Sequence, residues 1–496
     1  MNLLSRFFLI GLLLAVTPVL GLEGKFENLP TGRDYYGVYD EQGRKLGYFE
    51  QYFHTFNCCD GEFYFVYSSQ WEFSMYDGAE NIEYLDTIRD KYLFDVTNHF
   101  ELVQAWEMTS SDSWSTTVGR HGGDHSHHSE SSTTLTREGD SFKVISSSMG
   151  GKREWFIPAF SLTAYDMSAD YSFLRSNPKV GDRVEIKSLN FEKLLVESSF
   201  VTIKNIGEMM LDGVKTKRYD GVVEFSDLDG SFQFVGLGSG AIVNATLHGI
   251  EIRKEPEKIA KDVTKVVDMF DYALKPLNQS LPEMEDLSSI TIEVSGKDVE
   301  GMFINSRNQK VEVVDSDHLL ITLQNGIGTS KSLQHNDSVK YLEKTPLYPV
   351  ELPEITELVE KITGHLASEE EKVDRLIAFV DDLIVDEYAA DSSDVLEILS
   401  TKKGDCTEHT LLFITLSRAA GIPAKEATGY IYNVDSNLPN FGAHAWAEVL
   451  IDGYWNPVDP TWGENPASIG HLKMAEFTTP LKQFEIRVID YRSDQN

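Results

Sequence analysis

The 496-residue chain is longer than a single hydrophobic core usually serves, so two or three domains are expected. Hydrophobic residues at 41% and charged residues at 25% match ordinary globular usage and exclude wholesale disorder. The 79 acidic against 44 basic residues give a net charge of −35, which leaves no cationic surface for phosphates and counts against nucleic acid as a partner.

At the N-terminus, Arg6 precedes an unbroken apolar run from Phe7 to Val16, with Pro18 and Gly21 in a cleavage-like stretch. This pattern predicts a signal peptide over residues 1–21 and a secreted or periplasmic location. No later segment reaches the roughly 20 apolar residues of a membrane helix, so no stable membrane insertion is expected after cleavage. Three cysteines in an exported chain exclude a dense disulfide framework. Cys58 and Cys59 are adjacent, which suggests a vicinal disulfide, and Cys406 stands alone far along the chain.

Residues 22–255 read as a β-rich antiparallel domain, with short aromatic and β-branched runs between turn residues. Tyr35 to Tyr39 and Lys45 to Phe49 flank a Gly43-containing loop as a hairpin, and further strands are expected at Tyr92 to Val96, at Phe100 to Val103 and from Val184. The expected form is a sheet curled around its own core. The Ser/Thr/Gly-rich stretch 110–134 carries His121, His125, His127 and His128 and reads as a disordered loop. Four clustered imidazoles can chelate a transition metal, but the pattern calls for no metal or cofactor.

Residues 256–350 read as a small β-rich connector, opening with helix-spaced apolar residues between Lys258 and Leu274 and followed by alternating runs around Ile290 to Val294 and His318 to Thr322. After Pro353 the period becomes helical, at Ile355, Leu358, Val359 and Ile362 and again from Val373 to Ile384. A fragment from about Lys340 to Asn496 is therefore expected to fold alone.

Within 351–496, Gly404-Asp405-Cys406-Thr407-Glu408-His409 opens a helix marked at both ends. Asp405 is the N-cap, Glu408 completes a capping box, and Gly421-Ile422-Pro423 ends the helix. Cys406 falls at the first helical position, where the helix dipole favours a thiolate. Asp405 and Glu408 oppose that trend, so activation requires an imidazole. His444 supplies one, in a strand-like run from Gly442 to Leu450 followed by Asp452-Gly453, the preferred two-residue hairpin turn. That turn pairs Ile451 with Tyr454 and hence Trp446 with Asp459, making Asp459 the diagonal neighbour of His444 at roughly 7 Å between Cβ atoms. Cys406 as nucleophile, His444 as base and Asp459 as orienter form a triad suited to acyl transfer. Trp446, Trp455 and Trp462 read as core or cleft-wall residues, His409 as a surface residue one turn beyond Cys406, and Tyr388 as an oxyanion-site candidate.

These motifs, with Ala419 to Ala424, His444 to Val449 and Trp455 to Thr461, resemble the transglutaminase-like superfamily over about Leu352 to Ala475. The layout of signal peptide, β-rich region and this core resembles bacterial exported members. The resemblance implies an α+β fold with a papain-like C-terminal core, a catalytic domain over 351–496, and a protein or peptide amide as substrate. Relatives include transamidases, peptidases, amidases and inactive members, so the competing expectation is a non-catalytic envelope or secreted binding protein that keeps the fold.

Overall fold

Alternating aromatic and β-branched residues fit a pleated, half-buried surface, and the N-terminal half forms strands throughout. The computed structural model describes residues 26, 28–57, 62–77, 82–115, 126–211, 213–226, 231–247, 249–263, 267–268, 270–328, 335–387, 392, 394–433, 439–475 and 482–493. The signal segment, Cys58, Cys59, His121, His125 and Tyr388 lie outside these residues. The chain divides into two compact units between Asp268 and Met269. Among the described residues, no helix is long and apolar enough to cross a membrane.

The N-terminal unit is built on a 15-stranded sheet. Its first hairpin pairs Gly32–Tyr39 with Lys45–Asn57, with Tyr36 opposite Phe49. Asp40 fixes the turn by accepting the N–H groups of Gln42 and Arg44 at 2.9 and 2.7 Å, while Gly43 takes a positive φ of 74°. Strands then meander outward to Gly151–Pro158, and a second meander runs from Arg183–Asn190 back to Ile250–Glu255, which closes on the first strand. Phe142 and Val144 near one end share a core with Leu189 and Phe191 near the other, so the sheet curls around its own interior.

Two expectations change here. The described parts of 110–134, residues 110–115 and 126–134, are strand: Glu101–Ser115 pairs with Ser126–Glu138, placing Asp112 opposite His128. Ser and Thr suit a half-exposed sheet face, and the long partner strands hold the register. His128 engages Asp112 at 2.7 Å, and His127 points to the opposite face as its sequence neighbour must. The helix expected between Lys258 and Leu274 is also broken up. Glu257–Ala260 forms a single turn, Val267–Asp268 pairs in parallel with Met75 and Tyr76, and Leu274–Pro276 pairs with Asn440 to Gly442. Phe270–Ala273 is a second helical turn, so among the described residues the helix-spaced positions fall in separate short elements.

A buried polar row crosses the curled sheet. Asp34, Gln51, Ser69, Asp90, Glu107 and Thr133 are successive register partners on six neighbouring strands. All six are buried. Burial pushes the Asp90 carboxyl up to about 7, opposed by the Ser69 hydroxyl donating to it at 2.8 Å. Burial likewise raises Glu107, with Asp90 adding to the effect. A carboxyl with a raised folded-state pKa stabilises the fold most below its unfolded value near 3.8, and that contribution fades as pH rises through about 7. The N-terminal unit should therefore lose on the order of 3 kcal/mol from Asp90 between pH 4 and 7. Denaturant melts of Asp90→Asn across this range should show a flatter profile than wild type, and an equally steep profile would contradict the assignment.

The C-terminal unit contains two larger sheets and a two-stranded parallel pairing of Val385–Asp386 with Lys403–Gly404. In the first, His318–Leu323 and Leu287–Ser295 lie between Gln309–Asp315 and the C-terminal strand Glu485–Ser493. The second orders Leu274–Pro276, Asn440–Ile451, Ala424–Asn433 and His471–Lys473, with Tyr454–Val458 also on the Asn440–Ile451 strand. The sheets share a core in which Ile290, Ile292 and Ile321 meet Tyr430, Phe441 and Leu472. Pro353–Thr363, Glu369–Leu383, Val395–Thr401 and Cys406–Ala419 are helices, and their apolar stripes form a second core with Ala447, Val449 and Val458.

Residues from the expected connector thus lie inside this unit. Leu287–Ser295 pairs with Glu485–Ser493, and Gln309 receives the Lys473 N–H at 2.8 Å. A fragment starting at Lys340 would strip the last strand of its partner and open the shared core. Residues 269–496 should refold cooperatively when expressed alone, whereas 340–496 should remain soluble only as a partly folded species. Circular dichroism and denaturant titration of the two fragments distinguish these outcomes.

Candidate active site

The Cys406 helix begins as its sequence dictates. The Asp405 carboxylate accepts the Thr407 N–H at 2.7 Å, and Glu408 reaches back to the Asp405 N–H at 2.7 Å, completing the capping box. Gly404 is required for this closure, because a Cβ there would lie 2.3 Å from the Glu408 Cβ. The second Glu408 oxygen accepts the Ser392 N–H at 2.9 Å, tying the preceding loop to the helix start. Cys406 is half-buried at the first helical position, with the backbone N–H of Ala445 near enough to its sulfur to favour the thiolate. That contact sets the thiol beside the residue that follows His444.

Burial pushes the Cys406 thiol well above its usual range, and Asp405 beside it pushes in the same direction. The helix start and the Ala445 N–H offset this only in part. The thiolate must therefore be made by transferring its proton to a base.

His409 departs from its expected surface position. It is buried, and its Nδ1 donates to the Asp405 carbonyl oxygen at 2.7 Å. The reason is local, since the imidazole caps the same carbonyl that accepts the helical N–H of His409.

His444 lies on Asn440–Ile451, which turns at Asp452-Gly453 with φ of 54° and 77° at the two residues. Both values are left-handed, as a type I′ turn requires. The pairing of Ile451 with Tyr454 and Ala447 with Val458 is the register the turn predicts. His444 Nε2 lies 2.8 Å from Asp459 Oδ2. Trp462 stacks on the imidazole at 4.6 Å with planes 10° apart, while 50% of its surface is exposed, so it forms an outer wall of the site. Trp446 is buried in line with His444 at 6.2 Å, and Trp455 is also buried.

Asp459 is fully buried and its carboxylate is saturated with donors. Oδ1 accepts the Thr461 N–H at 2.9 Å, while Oδ2 takes both His444 Nε2 and His471 Nε2, the latter at 3.0 Å. Burial alone would raise this carboxyl, but the two imidazoles hold it well below the usual carboxylate range. Further along the His444 face, Glu448 is neutralised by Lys473 at 2.6 Å and Lys425 at 3.4 Å.

His471 is the site residue that sequence reasoning missed. It reaches Asp459 because His471–Lys473 pairs with Ala424–Asn433, placing His471 opposite Ile431 and Lys473 opposite Gly429. Gly429 permits this approach, since a Cβ there would lie 2.0 Å from the Leu472 carbonyl oxygen. No turn motif near His471 signals this long-range register. Donor atoms of His444, Asp459 and His471 lie within 4.8 Å of one another. Both imidazole Nε2 atoms meet the same carboxylate oxygen as N–H donors, so in this arrangement neither offers a lone pair to a metal.

The family model of the transglutaminase-like superfamily matches residues 356–460. The Kyphoscoliosis peptidases of Mus musculus and Homo sapiens are each 34% identical over 71 residues, which cover 14% of this chain and 11% of theirs. Among solved structures, a candidate cysteine protease from Cytophaga hutchinsonii is 15% identical with a TM-score of 0.27, covering 45% of this chain and 86% of its own. A β-barrel-like protein of a domain of unknown function from Brucella abortus is 10% identical with a TM-score of 0.30, covering 45% of this chain and 94% of its own. These TM-scores are too low to bear on fold or chemistry. The family match encloses Cys406, His444 and Asp459, and His471 falls beyond its end. Residues 356–460 thus place this chain's C-terminal region in the transglutaminase-like superfamily.

Proposed function

We propose that the protein is an exported cysteine-dependent enzyme acting on protein or peptide amides, with a papain-like α+β core and Cys406, His444 and Asp459 as its catalytic triad. The observation that carries this reading is the His444 to Asp459 hydrogen bond at 2.8 Å, on a strand whose Ala445 N–H lies near the Cys406 sulfur. Because Nε2 is committed to Asp459, Nδ1 is the ring atom left to take the thiol proton.

The reaction then runs in two halves. The Cys406 S–H bond breaks, its proton passes to His444 Nδ1, and the thiolate attacks the amide carbonyl carbon while the carbonyl π electrons move onto oxygen. The Cys406 N–H, which the capping box does not use, is a donor for that oxyanion. Imidazolium His444 returns the proton to the leaving amine as the C–N bond breaks, giving a thioester on Cys406. A second amine or water, deprotonated by His444, attacks the thioester carbonyl, the C–S bond breaks, and the departing thiolate takes the proton back from imidazolium His444. Asp459 keeps the ring in the required tautomer and supports its charge.

Incubation with a fluorescent primary amine and a glutamine-containing protein tests this reading. Covalent amine incorporation indicates transamidation, and peptide release without incorporation indicates hydrolysis. Neither product, together with alkylation of Cys406 no faster than a free thiol at any pH, would instead support a binding protein that keeps the fold.

A further inference from the structure

His471 is held between two groups that can only accept hydrogen bonds. Its Nδ1 lies 2.9 Å from the Ser468 carbonyl oxygen, and its Nε2 lies 3.0 Å from Asp459 Oδ2. The Ser468 hydroxyl is also near Nδ1, but at 3.3 Å it is farther than the carbonyl. A neutral imidazole carries one N–H, so it would set a lone pair against one of these oxygens. Imidazolium satisfies both.

Surrounding charges favour the same state. Asp459 has no competing use for a proton, since Oδ1 takes the Thr461 N–H and Oδ2 takes His444 as well. Glu464 adds a second negative charge and also braces the carbonyl that holds Nδ1, through its 2.7 Å contact with the Ser468 N–H. From the His444 strand, His471 meets the Trp446 ring edge-on at 5.0 Å and the His444 ring at 5.9 Å. Lys473, on the His471 strand, is cancelled by Glu448. Asp381, on Glu369–Leu383, lies within electrostatic reach of Asp459 and of His409.

We infer that His471 is a permanently cationic positioning residue, which shares the single charge of Asp459 and thereby keeps His444 less basic than a carboxylate facing it alone would make it. The carboxylate is pinned from two sides, so its geometry does not depend on the protonation of His444. The adjacent positive charge also makes a second imidazolium on the same carboxylate costly. The charge assignment for His471 stands on geometry, whereas its consequence for turnover rests on His444 being the base proposed above.

The experiment is imidazole nitrogen NMR of full-length Cys406→Ala protein, which needs no activity and so separates this inference from the proposed reaction. Both His471 ring nitrogens should show protonated-type resonances from pH 6 to pH 8. A neutral tautomer there would overturn the assignment without any variant of His471. In a Cys406→Ala, His471→Gln double variant, the His444 titration midpoint should rise by about one to two pH units, because Gln keeps a donor to Asp459 without the charge. With Cys406 restored, His471→Gln should move the acid limb of kcat/KM upward by the same amount. An unmoved His444 midpoint in a folded variant would reduce His471 to a structural hydrogen-bond donor.

Discussion

Cys406→Ala should abolish acyl-enzyme formation and reduce turnover by roughly 10⁴-fold or more, the scale on which loss of a nucleophile acts. The fold should barely change. The helix start is held by Asp405 and Glu408, whose hydrogen bonds go to the backbone of Thr407 and Asp405 and do not involve the Cys406 side chain. Ala is a good helix former and the position is only half-buried, so the stability change should stay within about 1 kcal/mol. Cys406→Ser should be almost as inactive. Burial and Asp405 already work against ionising the group at this position, and a hydroxyl is far harder to ionise than a thiol. Mass spectrometry after exposure to an electrophilic peptide analogue should place a single adduct on Cys406 in wild type and none in Cys406→Ala. An adduct on another residue, or undiminished turnover in Cys406→Ala, would remove Cys406 from the mechanism.

The parts of this site legible in the sequence are those set by short-range rules. Asp405 and Glu408 announce a helix start through a three-residue spacing, and Asp452-Gly453 fixes a hairpin register that carries His444 to Asp459. What the sequence hides depends on pairings between distant strands. His471 lies twelve residues beyond Asp459 with no motif around it, and only the pairing of His471–Lys473 with Ala424–Asn433 brings its ring to the carboxylate. The same limit explains the connector, where Leu287–Ser295 and Glu485–Ser493 pair across almost the whole C-terminal unit. It also explains 110–134, whose polar composition resembles a loop although its described residues pair as strands.

Asp459→Asn should lower turnover by roughly 10³- to 10⁴-fold, and hydrogen-bond geometry explains why so small a change is so damaging. Wild-type Asp459 is surrounded by donors only, namely His444 Nε2, His471 Nε2 and the Thr461 N–H. An amide has one oxygen and one NH₂, so any orientation sets a donor against a donor. With the NH₂ toward Thr461, the oxygen still accepts from His444 and His471 but carries no charge to stabilise imidazolium His444. With the NH₂ toward the imidazoles, His444 must present a lone pair at Nε2. Its proton then moves to Nδ1, the atom proposed to receive the Cys406 proton, and the base is lost. Neither arrangement is repaired by raising the pH, because the defect lies in tautomer and charge and not in an unfavourable titration. Activity of Asp459→Asn measured from pH 6 to pH 9 should therefore remain low throughout, with near-native circular dichroism showing that the hairpin is intact. Wild-type turnover in that folded variant, or full recovery at alkaline pH, would show that His444 needs no orienting carboxylate.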